Sequence, residues 1–292
     1  MSEVFRLVKS RAEIIFFWPW ITTMACLLVG RGFPPLYPSF MAILASALIT
    51  TSVYIYNDSV DSEMDKVNPR KARRPLVDGS ATLETAHQLV AVSGALGLLV
   101  SYLVHPVMFV ATLAYFVVYF IYSMPGVRLK DMFVVKELVS VSAFVFGSLI
   151  ASTAITGGVH VPTIIVGFVL AVFGFLSTPA VNESFDAKED QTSGIRTLGV
   201  VLSWQGRVQM LGAAIFYIIA ATLAAATWLG FSYILPIAVT LGGIVVLMNL
   251  PGIYRKFEES KVMRMRRVMK VYLFFTQIMF VVAVTDFARS LL

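Results

Sequence analysis

The chain has 292 residues, of which 58% are hydrophobic and 14% charged, with a formal net charge of +6. Soluble domains run at roughly 45–50% apolar and about 25% charged residues, so a water-soluble globular enzyme is excluded and a protein living largely in hydrocarbon is indicated. Basic loops beside anionic lipid account for the positive charge, so no nucleic-acid partner is implied.

Residues 1–10 are too polar for the apolar core of a signal peptide, and the apolar run after Arg11 is followed by many others. The first span is therefore expected to be retained. Crossing about 30 Å of hydrocarbon at 1.5 Å per residue takes roughly 20 apolar positions. Such windows fall at 14–31, 36–56, 85–104, 106–123, 133–155, 161–181, 208–228, 231–250 and 271–288. They are too long and too continuously apolar for barrel strands, and only helices or closed barrels satisfy the backbone in lipid. The expected fold is all-α: a single domain over 1–292 forming a multi-pass bundle of nine transmembrane helices.

An odd number of spans sorts the polar segments onto alternating sides. The N-terminus and the segments near 57–84, 124–137, 182–207 and 251–270 share one side. That side receives every Lys and Arg except Arg31 and Arg289, and every acid except Asp286. Positive-inside bias makes it cytoplasmic, with the C-terminus opposite. Acidic residues have little influence on topology, so their segregation calls for another cause: one charged working surface at the cytoplasmic helix ends.

The second span runs into Asn57-Asp58-x-x-Asp61-x-x-x-Asp65, and the sixth into Asn182-Glu183-x-x-Asp186-x-x-x-Asp190. Both copies end even-numbered spans, which brings them to the same face, and the match suggests a pseudo-repeat. On a helix, offsets of three, four and seven place side chains on one stripe. Asp58, Asp61 and Asp65 are expected to point together, as are Glu183, Asp186 and Asp190. Like charges at these spacings repel, and a helix C-terminus adds negative potential. Hard divalent cations relieve both, since Mg²⁺ takes oxygen ligands and joins a few carboxylates to substrate phosphates. Zinc would recruit Cys or His. Glu63 and Glu189 fall off the stripes, while Asn57 and Asn182 either reach the metal, orient a carboxylate or close a helix end.

Basic residues follow each acidic set. Arg11, Arg73, Arg74, Arg128, Lys130 and Arg196 are candidates for gripping a diphosphate, with membrane anchoring as the plainer role for each. The basic cluster from Arg255 to Lys270 reads as a surface anchor beside lipid headgroups. Tyr115, Tyr119 and Tyr122 recur at offsets of four and three and form a stripe, with Tyr122 closest to the charged face. Such rings pack, or stabilise a transient positive charge by cation–π attraction. Trp18 and Trp20 read as interface anchors or packing. His87, His105 and His160 have no ligand spacing, and Cys26 is a lone buried hydrophobe. No dinucleotide or nucleotide phosphate-binding loop is present.

Acidic clusters with Mg²⁺, ringed by Lys and Arg and backed by an apolar bundle, suit a substrate with a diphosphate head and a long hydrocarbon tail. An isoprenyl diphosphate has both. The expected reaction is transfer of the isoprenyl chain to a lipophilic acceptor, with release of diphosphate. A membrane transporter for a small solute or ion is the alternative from another class; it would place ionisable groups near the bilayer midplane.

At these residues the chain resembles the UbiA superfamily of intramembrane prenyltransferases. "NDSVDSEMD", "NPRKARRPLVDG", "YSMPGVRLK" and the segment from Asp186 and Asp190 to Gly194, Thr197 and Leu198 carry the likeness. The resemblance implies nine helices around a central cavity with cytoplasmic helical caps. It also implies two Mg²⁺ ions among Asn57, Asp58, Asp61, Asp65, Asp186 and Asp190, diphosphate against Arg128 or Lys130, and Tyr122 near the bond being broken. Geranylgeranylglyceryl phosphate and an aromatic quinone precursor are rival acceptors. The chain departs from the family pattern in three places. Asn182-Glu183 stands for the usual Lys-Asp, Gly199 for a frequent Pro, and Glu13 near a polar position that is often Asn.

Overall fold

The computed structural model describes residues 2–68, 70–192 and 194–285, with the side chains of Lys188 and Glu189 left aside. Glu189, Asp286 and Arg289, which entered the charge argument, therefore lie outside what is described, as does the end of the 271–288 span. Among the described residues nine helices are long and apolar enough to cross a membrane. The chain is an integral membrane protein.

The chain divides into two compact units. The first comprises residues up to Cys26, Pro35–Lys130 and Ala143–Ile164. It begins with α1, Glu3–Ser10, whose N-cap Ser2 accepts a hydrogen bond from Phe5 N. Leu7 buries the inner face of α1 against Ile55, Ala81 and Ala86. Glu3 ties α1 down a second time, because its Oε2 accepts from Thr82 N at 2.9 Å and Thr82 Oγ1 at 3.0 Å. After α2, Ala12–Val29, the chain enters α3, Leu36–Asp65, which continues as one 30-residue helix through the first acidic motif.

Helix α3 packs closely on α4, Leu83–Val104, because small residues line the contact. A Cβ on Gly97 would come within 2.9 Å of Ile49, and one on Gly94 within 3.0 Å of Ser52 Oγ. The hydroxyl of Ser52 donates to Val90 O at 2.8 Å across the same contact. Helix α5, Pro106–Ser123, starts where the sequence divides the two spans. Pro106 favours extended backbone before it (φ −163° at His105), and the His105 ring accepts from Val107 N at 3.2 Å, so this histidine is a cap. The turn at residues 124–130 closes this unit together with part of α6, Val135–Thr156.

The second unit comprises Leu27–Pro34, Asp131–Ser142 and Ile165–Leu292. It contains most of α7, Val161–Val181, then the short α8, Ala187–Thr192, and α9, Leu198–Val201. Three longer elements follow: α10, Trp204–Trp228; α11, Ile234–Asn249; and, after the short α12, Pro251–Tyr254, α13, Glu259–Val284. Phe173, Leu211, Ile215, Ile218, Leu235 and Phe280 are fully buried and form its apolar interior. Tyr272 of α13 fits against α11, where Gly242 leaves space, and its hydroxyl donates to Val239 O at 2.9 Å. Helix α13 starts twelve residues before the apolar window, so Arg264, Arg266, Arg267 and Lys270 stand on its first turns.

Candidate active site

The last three turns of α3 build the first cluster. Because the helix does not break, Asp58, Asp61 and Asp65 share one stripe, as their spacing requires. Asp58 and Asp65 are buried, whereas the Asp61 side chain keeps 17% of its surface exposed. Three carboxylates this close need compensation, and five cations supply it. Arg11, from the junction of α1 and α2, forks onto Asp58, with Nε donating to Oδ2 at 2.7 Å and Nη2 to Oδ1. Arg74 bridges two acids, donating to Asp58 Oδ1 at 3.1 Å and to Asp65 Oδ2. Lys71 lies 2.9 Å from Asp65 Oδ1. Lys130 donates to both oxygens of Asp61, and Arg128 stands 3.7 Å from the same carboxylate.

Lys130 and Arg11 are the most enclosed of these bases, and Arg11 lies against the buried Asp58. For Arg11, loss of water alone would lower the pKa, but the hydrogen bonds and charge of Asp58 outweigh that and raise it. Asn57 sits one turn before Asp61; its Nδ2 donates to Ser123 Oγ at 2.8 Å and to Asp61 Oδ2 at 3.2 Å. It thus orients a carboxylate and links α3 to the end of α5. Arg128 occupies the left-handed region at φ 43°, two residues after Gly126 at φ 88°, so a tight turn presents both Arg128 and Lys130 to Asp61.

Aromatic rings continue from this cluster into the apolar part of the unit. Tyr115 and Tyr119 meet edge to face with ring centres 4.8 Å apart, and Tyr119 lies 6.3 Å from Tyr122. Tyr54, one turn before Asn57, lies 6.5 Å from Tyr119 and accepts a hydrogen bond from Trp18 Nε1 at 2.9 Å. Trp18 also meets Phe144 edge to face, so it is an interior residue of this unit.

The second motif is built differently. Its expected helical stripe does not form: α7 stops at Val181, a 3₁₀ turn occupies Glu183–Phe185, and α8 begins at Ala187. Pro179 and Ser184 account for the interruption. Pro179 lacks an N–H and weakens the final turn, while the Ser184 hydroxyl donates to Pro179 O at 2.8 Å and Ala180 O at 2.9 Å, closing the helix end. As a result Glu183 and Asp190 are buried and Asp186 and Asn182 are exposed.

Asp190 accepts from Lys136 Nζ at 2.9 Å and from Thr197 Oγ1 at 3.2 Å. Glu183 Oε2 accepts from Gly199 N at 2.9 Å, and Glu137 Oε1 from Leu198 N at 2.9 Å. Arg196 is exposed and stands 5.6 Å from the centre of the Phe133 ring, and Arg73 is exposed as well. The sequence reading missed the roles of Lys71, Lys136, Glu137 and Tyr54 and the bond of Thr197 to Asp190, while its packing alternative for Trp18 holds. Tyr54 carried a signal, since it falls four residues before Asp58 on the same helix face.

Among the described residues no three Asp, Glu, His or Cys side chains gather closely enough to hold an ion unaided. The donors are nevertheless hard carboxylate oxygens, and they fit Mg²⁺, which commonly takes one or two carboxylates and completes its shell from substrate phosphates and water.

Apolar spanning helices that carry acid-and-base clusters at their ends define a membrane protein with a polar head for an anionic, lipid-like substrate. The UbiA prenyltransferase family model matches residues 19–278, and the chain belongs to that family. It is 30% identical over 254 residues to a digeranylgeranylglyceryl phosphate synthase of Sulfolobus acidocaldarius, covering 85% of this chain and 86% of that one. It is 28% identical to a 4-hydroxybenzoate octaprenyltransferase of Aromatoleum aromaticum, covering 77% and 73%. A UbiA homologue from Archaeoglobus fulgidus, solved with DMAPP and Mg²⁺, superposes with a TM-score of 0.68 at 15% identity, covering 96% and 99%. Family membership displaces the transporter alternative.

Proposed function

We infer that the chain transfers a geranylgeranyl group from its diphosphate to the free hydroxyl of geranylgeranylglyceryl phosphate, in a reaction that depends on Mg²⁺. The bond between the prenyl C1 and the diphosphate oxygen breaks, and its electron pair leaves with diphosphate. The acceptor hydroxyl oxygen forms the new ether bond to C1 and loses its proton to solvent. The observation that carries this reading is the α3 cluster, where three carboxylates stand among five cations and leave a positive surplus suited to a phosphorylated head.

Mg²⁺, when bound, would neutralise the departing diphosphate. Its ligands in this reading are Asp58, Asp61 and Asp65, with Asn57 orienting Asp61, and, from the repeated signature, Asp186 and Asp190. Two ions match the two signatures. Arg11, Lys71, Arg74, Arg128 and Lys130 exchange carboxylate oxygens for phosphate oxygens as substrate arrives. Arg73 and Arg196 guide it from the exposed periphery. Tyr122, at the end of the tyrosine stripe, lies nearest the bond being broken, and the other rings exclude water from the allylic cation. The positive-inside bias supports a cytoplasmic site and N-terminus.

The relative named digeranylgeranylglyceryl phosphate synthase supports this acceptor. The test uses the purified full chain in lipid nanodiscs with Mg²⁺ and geranylgeranyl diphosphate, offered geranylgeranylglyceryl phosphate and 4-hydroxybenzoate in parallel. Ether product by mass, matched by released diphosphate and abolished by EDTA, is expected with the glyceryl acceptor. Product with the aromatic acceptor alone would overturn the acceptor, and transfer to neither would overturn the activity.

A further inference from the structure

The short helix α9 is capped in an unusual way. Its N-cap is Thr197, a residue whose hydroxyl ordinarily accepts from the second or third N–H of the helix. Here that hydroxyl makes no capping bond and donates instead to Asp190 Oδ2 at 3.2 Å. The N–H groups that need partners are taken by two glutamates from elsewhere in the unit. Leu198 N donates to Glu137 Oε1 and Gly199 N to Glu183 Oε2, both at 2.9 Å. Glu137 and Glu183 are 1% and 5% exposed, and their carboxyl groups adjoin each other.

The residue at 199 suits that bond in two ways. A proline at 199 would have no N–H to offer Glu183. A side chain at 199 would place its Cβ 2.8 Å from Glu183 Cβ, closer than such atoms approach, so glycine fits both the donor and the space.

We propose that Glu137 and Glu183 are positioning residues: by capping α9 they release the Thr197 hydroxyl to hold Asp190 in place for Mg²⁺-diphosphate, and Glu183 is a latch on Gly199 instead of a metal ligand. The proposal rests on the reading above that Asp190 is a Mg²⁺ ligand. Asp190 has a second support in Lys136, 2.9 Å away, which fixes the same oxygen from the first turn of α6. Removing the Thr197 bond therefore leaves Asp190 in the site with freedom to swing.

The test measures diphosphate release by the full chain as a function of Mg²⁺ concentration, alongside thermal stability in the same detergent. Glu137→Ala and Thr197→Val are each expected to raise the half-saturating Mg²⁺ roughly tenfold, the usual scale for residues behind a metal ligand. Their double variant should be no worse than either alone, because both act through one bond. Thr197→Ser and Glu137→Gln keep the required donor and acceptor and should stay within about threefold of wild type. Glu183→Gln is the sharpest variant. Its amide oxygen still accepts from Gly199, and its NH₂ faces Glu137, whose Oε2 is buried without a donor. A latch predicts a nearly unchanged Mg²⁺ response.

A Mg²⁺ response of Glu183→Gln weakened as far as that of Asp190→Asn overturns the latch, since the lost charge then matters at the metal. Lower stability of Glu137→Ala and Thr197→Val with an unmoved Mg²⁺ half-point overturns it too, leaving only a structural cap. An unmoved Mg²⁺ half-point in Asp190→Asn itself removes the underlying reading of Asp190, a failure distinct from the other two.

Discussion

The two acidic motifs have one spacing and two structures. From Asn57 to Asp65 the helix continues, and three aspartates form a stripe answered by Arg11, Lys71, Arg74, Arg128 and Lys130. From Asn182 to Asp190 the helix has stopped, and the acids separate. Glu183 turns to Gly199, Asp190 to Lys136 and Thr197, and Asp186 to the exterior. A repeated spacing fixes which residue types are delivered to a region. The local hydrogen bonds around Pro179 and Ser184 decide where each one points.

The largest effect should come from the more exposed acid of the continuous stripe. Asp61→Asn removes the charge that engages Lys130 and Arg128, and turnover is expected to fall by about 10²–10³-fold with an unchanged helical circular-dichroism spectrum. Wild-type turnover in that folded variant would remove the stripe from the mechanism. Next is Arg74→Ala, which leaves Asp58 and Asp65 buried beside each other with one bridging cation gone. A destabilisation of about 2–3 kcal/mol is expected, below the ~3–5 kcal/mol of a fully buried broken pair because Arg74 keeps some solvent. Thermal unfolding in detergent, and the KM for geranylgeranyl diphosphate, report it.

Ser184→Ala probes the broken motif. Losing the hydroxyl at the end of α7 should cost about 1 kcal/mol of stability, with turnover reduced far less than in Asp61→Asn; an equal loss of turnover would mean that the helix end is as close to the chemistry as the stripe. Arg73→Ala should have the smallest effect, within about 0.5 kcal/mol in stability and threefold in turnover. A large loss there would show that the exposed arginine, and not Arg74, carries the substrate's charge.

Much of this was legible in the residues. The nine apolar runs correspond to the nine long helices found among the described residues, because hydrocarbon thickness sets a minimum span length. The His105-Pro106 division between α4 and α5 follows from proline geometry. The stripe at 58–65 follows from helical period. What was not legible depends on long-range partners. Nothing local indicates that Arg11, forty-seven residues before Asp58, forks onto it, or that Glu137 reaches the N–H of Leu198. Trp18 read as an interface anchor or a packing residue, and only its long-range partner Tyr54, whose hydroxyl accepts from the indole, settles it as packing. The failure of the second stripe was signalled only weakly, by Pro179 one turn before the motif.

The central claim is that the α3 aspartates and their cations hold a Mg²⁺-bound diphosphate. Calorimetric binding of geranylgeranyl diphosphate to the wild-type chain and Asp61→Asn, with and without Mg²⁺ and in the absence of acceptor, tests it most directly. The account predicts that Mg²⁺ tightens wild-type binding by about tenfold or more and that Asp61→Asn loses most of that gain. Equal Mg²⁺ gains in the two proteins would contradict it.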